Sequence, residues 1–513
     1  VRSRVPSRSP RQTPDGLSAG TMQLKRHHRL GTDWWCMKST QSPGTRPIHQ
    51  SVASGLEFKA DGSAIAIGFT EQRLSAHAGS ATFWGWLRPL NWRSRLESSL
   101  PHPKPTSNNR LLPVEKALGF IHGILCDARK LTHIAYFRRD PLLPDLLGVR
   151  RMPSQSVLSR FFSGFDSAGK NLRCFRPLWH WCMDRLPSPR EGGYTLDLDS
   201  TRLLHEDGHQ DGVAVGYTKR GLKPCLHPLL AVLSEVRMVA QFWLRSGNAP
   251  CGSNAGAFFL DLWDNLPTHI RLRGVRADSG FCLPELLDLW ESLSLPYVVV
   301  AQLSQPLQRL LRGDLAWKAT ELQGTEVSEL EYQSMNWSHP RRLILIRHRL
   351  RDETDARMGK RLLDVPGWRF QALVTSLPAS THSPLQVWSH YNKRADCENV
   401  IKELREGFGL PTLCLKEFWG TEAVLSLAVI TYNLSVLFQR HIGWQTKVTI
   451  HSLRFWLFVT AGVLSHPQGK TTVKIAVPKR ERGWWQRLWE KILSPFPNCN
   501  AVENRPAFGG ASP

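Results

Sequence analysis

Residues 194–201 read YTLDLDST, an alternation of apolar and polar side chains with a period of two, which predicts a β-strand carrying Asp197 and Asp199 on one face. Downstream, HPLLAVLSE (227–235) and MVAQFWLRSG (238–247) have the pattern of two further strands, and NAGAFFLDLWDNL (254–266) that of a helix. A short strand ending in VRADSG (275–280), a helix PELLDLWESL (284–293) with Pro284 in its first turn, and the apolar strand YVVVAQL (297–303) complete the run. Three consecutive strands followed by alternation with helices predict an α/β fold, a mixed sheet flanked by helices. Asp199 ends the first strand of this series and Asp278 the fourth. If those strands are neighbours, both carboxylates emerge at the same edge of one sheet.

The rest of the chain sorts around that core, which is expected to occupy residues 191–310 and 378–470. Between its two parts, residues 311–377 read as a β-rich insertion, with strand patterns in TEVSELEYQS (325–334), RRLILIRHRL (341–350) and WRFQALVTSL (368–377). Upstream, residues 61–190 form a helical region and a candidate DNA-binding module. It includes RLSAHAGSATFWGWLRPL (73–90) as one amphipathic helix, and SQSVLSRFFSGF (154–165) opened by Ser154 as N-cap. A solvated helical subdomain has the same signature. Residues 1–60 lack periodicity, and VRSRVPSRSPRQTPDGLSAGTM at their head reads as disordered, or as translated sequence ahead of a start at Met22 or Met37. Residues 471–513 form a basic, aromatic tail.

A formal charge of +23 over 513 residues and a pI near 10.0 favour a polyanionic partner, because neutralising phosphates releases counterions. Nucleic acid fits this better than a membrane surface, since the charge is spread along the chain and not gathered on one amphipathic helix. AVLSLAVITYNLSVLF (423–438) and FWLFVTAGVL (455–464) are short or interrupted by polar residues and are expected to be buried helices. The ten cysteines form no CxxC pair, so neither a zinc ribbon nor a disulfide framework is indicated, and reduced thiols in a cytosol are expected.

The stretch YNKRADCENVIKELR (391–405) supplies a third carboxylate. At about 100° per residue on a single helix, Tyr391, Arg394, Glu398 and Arg405 fall within an arc of roughly 60°. Cys397, Val400, Leu404 and Phe408 line the other side. An ordinary solvated face stitched by Arg–Glu pairs has this pattern too. Beside Asp199 and Asp278, however, Glu398 would complete a cluster that repels itself unless divalent cations sit within it. Asp197 competes with Asp199 for the first place.

Together DLDST, GYTKRGLKPCLHPLLAVL, LRSGN, RADSGF, LVTSL and YNKRADCENVIKELR, over about residues 190–440, resemble the DDE transposases of bacterial insertion sequences. The resemblance is to the group with a Tyr-x2-Arg-x3-Glu-x6-Lys signature, nearest to the thirteen-eighty insertion-sequence family. It implies an RNase H-like fold with the β-rich insertion before the third acid, and a metal triad of Asp199, Asp278 and Glu398. It further implies two Mg²⁺ ions, for which Mn²⁺ can substitute, roughly 4 Å apart. Tyr391 and Arg394 would contact DNA phosphates, and Arg405 stands where the signature has Lys, a planar fork in place of a compact ammonium. A second departure is KEFWGTEA, which lacks an Asn near Thr421.

The activity so implied is cleavage of donor DNA at terminal inverted repeats and joining of the 3′ ends to target DNA. A homodimer would hold two ends, in the bacterial cytoplasm on the nucleoid. A nuclease of the same fold without strand transfer, and a non-catalytic DNA-binding descendant, are the alternatives.

Other candidates carry less. His205 and His209 in HEDGH are spaced as a zinc pair only on a helix, and the neighbouring Gly208 argues for a loop. Lys219 and Arg220 in GYTKRG lack P-loop spacing and suit either a DNA-facing loop or a solvated turn. Arg245 follows a strand and is equally consistent with a site residue and a structural cation. Trp484, Trp485 and Trp489 have the spacing of a helix that buries its aromatic side.

Overall fold

The computed structural model describes residues 57–60, 63–66 and 68–495, apart from 190–191, 206–208, 219–220, 351–358, 363–364 and 445–447. The chain divides at Thr70/Glu71 into two units. In the first, the described residues form a hairpin of Glu57–Ala60 against Ser63–Ala66.

The second unit is organised by a ten-stranded sheet. Its strands are β1 (Tyr194–Ser200), β2 (Leu229–Leu233), β3 (Met238–Trp243), β4 (Leu272–Ala277), β5 (Tyr297–Val300), β6 (Lys318–Ala319), β7 (Thr325–Tyr332), β8 (Arg341–Arg349), β9 (Lys360–Arg361) and β10 (Trp368–Thr375). The spatial order is 6-7-8-10-5-4-1-2-3, with β9 paired to β10. Strands β1, β4 and β5 are mutually parallel, β2 and β10 run against them, and β3, antiparallel to β2, runs in the direction of β1. The five strands expected from the run after Tyr194 are therefore all present and contiguous. The strands of the 311–377 segment extend the same sheet beyond β5.

The longer helices, some on the sheet and some packed on those that cover it, are α1 (Pro113–Leu125), α2 (Gln155–Ser163), α3 (Ala168–Met183), α4 (Ala255–Asn265), α5 (Pro284–Ser292), α6 (Gln305–Arg312), α7 (Pro384–Asn392), α8 (Ala395–Glu406), α9 (Phe418–His441) and α10 (Arg482–Leu493). Helix α9 is long and apolar enough to cross a membrane, but its apolar window is wholly buried, as expected of a core helix. Its polar residues explain where it lies. Asn433 accepts from Val239 N–H at 3.0 Å and donates to Val239 O at 2.7 Å, and Glu422 accepts from Leu244 N–H at 3.0 Å. These side chains take the place of a further strand along the edge strand β3. Helices α1, α2 and α3 pack on α9, so the upstream helical region shares the core. Ser154 caps α2 as expected, its hydroxyl accepting from Val157 N–H.

Three local expectations are corrected. RLSAHAGSATFWGWLRPL is broken into a strand (Leu74–Ser75), a helix (Ala81–Leu87) and 3₁₀ turns, because Gly79 lies against the backbone of Leu457, with no room for a Cβ, and Pro89 ends the run. FWLFVTAGVL is not a helix throughout: a π-turn (Arg454–Phe458) leads into a strand (Gly462–Ser465) that pairs with Leu74–Ser75. On either side of Lys219 and Arg220, which lie outside the described residues, Ala214–Thr218 pairs with Gly221–Leu226. The stretch 391–405 is two helices, α7 and α8, separated by Lys393 and Arg394. Neither His205 nor His209 lies on a helix. The tail helix α10 buries Trp485 and sets Trp489 against Gly85, which is packing of the kind its spacing predicts.

Candidate active site

Register builds the site. Strands β1 and β4 pair Asp197 with Arg276 and Leu198 with Ala277, so the next step brings Asp199 beside Asp278. Side chains repeat on one face every two residues, and the two cross-strand pairs therefore stand one behind the other. In the deeper pair, Arg276 grips Asp197 with both arms, Nε to Oδ1 at 2.7 Å and Nη2 to Oδ2 at 2.9 Å, and also donates to Ser234 Oγ and His390 O. Asp197 is fully buried there, so its charge is spent inside the protein. The pair at the edge is acid beside acid.

Each edge carboxylate is oriented by backbone. Asp199 Oδ1 accepts from Ser200 N–H at 2.7 Å, and Asp278, the N-cap of the Ser279–Phe281 turn, accepts from Gly280 N–H at 2.9 Å. Glu398 arrives on α8, across the α7–α8 joint. Within the joint, Arg394 N–H bonds Tyr391 O and Cys397 N–H bonds Arg394 O, both at 2.9 Å, three residues apart in place of four. That tightening splits the arc expected of a single helix. Tyr391 is buried with Val298, Ile344 and Val387, and Arg394 is 5% exposed. The Glu398 side chain is 62% exposed, and Arg405 is exposed in the last turn of α8.

Arg394 ties the cluster together. Its Nη2 donates to Leu198 O at 3.1 Å and lies 2.9 Å from Asp199 Oδ2, while Nη1 lies 3.7 Å from Glu398 Oε1. Its Nε has no hydrogen-bond partner. Burial pushes the Asp199 carboxyl up to about 6; Arg394 opposes this, and Asp278 and Glu398 reinforce it. Burial likewise pushes the Tyr391 phenol up to about 12, against Arg394 and with Asp278, Asp199 and Glu398 adding to it. Burial works against the charge of Arg394, but Asp199, Tyr391, Cys397 and Asp278 together outweigh it and hold the guanidinium above its ordinary range. The three carboxylates, Tyr391 and Arg394 thus share one electrostatic neighbourhood. Lys219 and Arg220 lie outside the described residues.

Two further groups touch this edge, one of them Arg245, for which the sequence leaves both a site role and a structural role open. His227, at the entry to β2, lies 2.9 Å from Ser200 Oγ, and Arg245, at the exit of β3, donates to His227 O. Burial above all, then Arg245 and Arg202, lower the His227 imidazole to about 4, despite the raising effect of the Ala249 carbonyl. Elsewhere, Asp288, Glu291 and His339 bring their ligand atoms within 4.8 Å of one another. Arg341 already fills that cluster, donating to Glu291 from Nε at 2.8 Å and to both acids from Nη2. It is a closed ion cluster at the amino ends of the parallel strands, away from Asp199.

The family model described as Transposase DDE domain group 1 matches residues 59–492, and the chain belongs to that family. No curated protein matches the chain. Among solved structures, the cryo-EM structure of the piggyBac transposase synaptic complex with hairpin DNA is similar to it. The identity is 10% and the TM-score 0.38, over 76% of this chain and 83% of that one.

Proposed function

We propose that this transposase cleaves the ends of its element and joins the freed 3′ ends to target DNA, with Asp199, Asp278 and Glu398 as the ligands of divalent metal. The observation that carries this is the cross-strand neighbourhood of Asp199 and Asp278 at the carboxyl edge of β1 and β4, with Glu398 on the same guanidinium as Asp199. Asp197 is left out, because Arg276 satisfies both of its oxygens. The strand order 3-2-1-4-5 around β1 supports an RNase H-like core, and the quoted signature supports the insertion-sequence group nearest the thirteen-eighty family.

Three carboxylates are hard oxygen donors and fit Mg²⁺ or Mn²⁺. Bound divalent metal supplies activation of a water or 3′-hydroxyl and stabilisation of the leaving oxygen in phosphodiester transfer. The chain's own groups prepare that place. Ser200 N–H and Gly280 N–H each fix one oxygen of their aspartates, and Arg394 offsets the mutual repulsion of Asp199 and Glu398. Tyr391 is buried, and its ring braces the α7 end of the joint. Arg405 and the net charge of +23 supply phosphate contacts outside the site, with a dimer synapsing two ends.

The test is purified protein with a duplex bearing its terminal repeats, with and without Mg²⁺, comparing wild type and Glu398→Ala. Metal-dependent nicking by the first and binding without cleavage by the second are expected. Glu398 is mostly exposed, so the substitution changes stability by no more than about 0.5 kcal/mol. Equal cleavage by both proteins would sink the triad.

A further inference from the structure

A continuous set of contacts joins the Asp199 strand end to the Asp278 turn, and its centre is His227 and Arg245. On one side, Ser200 follows Asp199, and its Oγ lies 2.9 Å from His227 Nε2. His227 Nδ1 is 2.8 Å from the carbonyl oxygen of Ala249. A carbonyl only accepts, so Nδ1 carries the proton, and Nε2 is left to accept from the Ser200 hydroxyl. The proton of Ser200 is thereby turned toward His227, and the hydroxyl lone pairs face away from it. Ser200 N–H remains on Asp199 Oδ1 at 2.7 Å.

On the other side, Arg245 is 5% exposed and has no acidic partner among the described residues; carbonyl oxygens bind it, and Nη2 lies 3.4 Å from His227 Nδ1. Its Nε donates to His227 O at 3.0 Å, and Nη1 reaches Pro250 O, Cys251 O and Ser253 O at 2.8, 2.9 and 2.7 Å. The loop so gathered lies directly against the Asp278 turn. A Cβ on Gly280 would sit 2.4 Å from Cys251 Cβ, and one on Gly252 would sit 2.8 Å from Gly280 O. Gly280 is the residue whose N–H fixes Asp278. A buried guanidinium spent on carbonyls gains less than one paired with an acid and carries a large desolvation cost, so its retention points to loop shape as its role.

We propose that His227 and Arg245 are positioning residues that set the separation and orientation of Asp199 and Asp278 for metal, His227 acting through Ser200 and Arg245 through the 250–253 loop. This rests on the assignment of Asp199, Asp278 and Glu398 as ligands. The residues are not catalytic in the sense of touching reacting atoms. They act on the ligands, as partners beyond the ligand shell commonly do, where their loss weakens metal affinity by 10–100-fold.

The experiment measures the Mn²⁺ dissociation constant from the free Mn²⁺ electron paramagnetic resonance signal, using full-length wild type, Glu398→Ala, Ser200→Ala, His227→Leu, His227→Gln and Arg245→Lys. Circular dichroism and metal-free DNA binding serve as folding controls. His227→Leu and Arg245→Lys are expected to bind about 10–100-fold more weakly, and Ser200→Ala, which removes one hydroxyl, to fall in the same direction. His227→Gln keeps an acceptor where Nε2 was and should stay within about threefold of wild type. If Glu398→Ala loses affinity while His227→Leu, Ser200→Ala and Arg245→Lys match wild type, the positioning role is overturned and the triad stands. A glutamine variant as weak as the leucine one overturns the path through Ser200. If wild type and Glu398→Ala bind Mn²⁺ alike, the triad itself fails, and the positioning role falls with it.

Discussion

Asp199→Asn should make the metal-free protein more stable above pH 6, and the size of the gain follows from its surroundings. The Asp199 side chain is 12% exposed, and its carboxyl is raised from 3.8 to about 6 with Arg394 already in place. A shift of about two units corresponds to about 3 kcal/mol disfavouring the charged form in the folded state. The sign is that of a raised carboxyl. The folded protein holds this proton more tightly than the unfolded chain does, so stability falls as pH rises from about 4 to about 6, and the full penalty persists above that range. Asparagine carries no charge to penalise and still offers Arg394 an acceptor. The variant should gain about 3 kcal/mol at pH 8 and roughly half of that at pH 5. With about 2.1 cal/mol/K of unfolding entropy per residue over roughly 440 residues, the gain amounts to about 3 °C in Tm at pH 8. Differential scanning calorimetry in chelator at pH 8, 6 and 5 measures it directly. A variant less stable than wild type at pH 8, or a difference independent of pH, would refute the picture of an acid held at a cost for binding cations. Added Mn²⁺ should raise the Tm of wild type and leave that of Asp199→Asn nearly unchanged.

The deeper pair should behave in the opposite way. Arg276→Met strands Asp197 without its partner in a fully buried place and should cost about 3–5 kcal/mol in denaturant titrations, whereas Asp197→Leu combined with Arg276→Met should recover most of the loss. A double variant as unstable as the single one would mean that the pair does more than neutralise itself. At the far end of the fold, Ser154→Ala removes the hydroxyl that accepts from Val157 N–H and should cost about 1 kcal/mol, and Ser154→Asp should cost almost nothing.

What the sequence makes legible here is periodicity, and what it leaves out is register. The strands from Tyr194 to Val300 and from Thr325 to Thr375 announce themselves by alternation or by short apolar runs, and their order along the chain is enough to imply a mixed sheet. Periods within a segment also mislead where a tertiary contact resets them. Tyr391 and Glu398 share an arc only if the helix runs through Arg394, and the guanidinium's bonds to Leu198 O and Asp199 hold a tightened joint there. The hairpin from Ala214 to Leu226 is hidden in the sequence because GLKPCL carries Pro224, a residue that argues against an interior strand, although the strand pairs with Ala214–Thr218 on one side and Leu203–Leu204 on the other.

The choice between Asp197 and Asp199 shows the limit most sharply. Both lie on one face of one strand, and on the neighbouring strand Arg276 and Asp278 are also two apart on one face. One register gives an Arg–Asp pair behind an Asp–Asp pair. Sliding β4 by two residues in one direction would set Arg276 beside Asp199 and neutralise the edge, with no change in composition, periodicity or strand order. The site therefore depends on a quantity that neither strand carries by itself, the β1–β4 alignment fixed by packing of both on the sheet core. That alignment places a closed ion pair inside and two carboxylates side by side at the rim, where Arg394, on the joint before the third acid, answers Asp199.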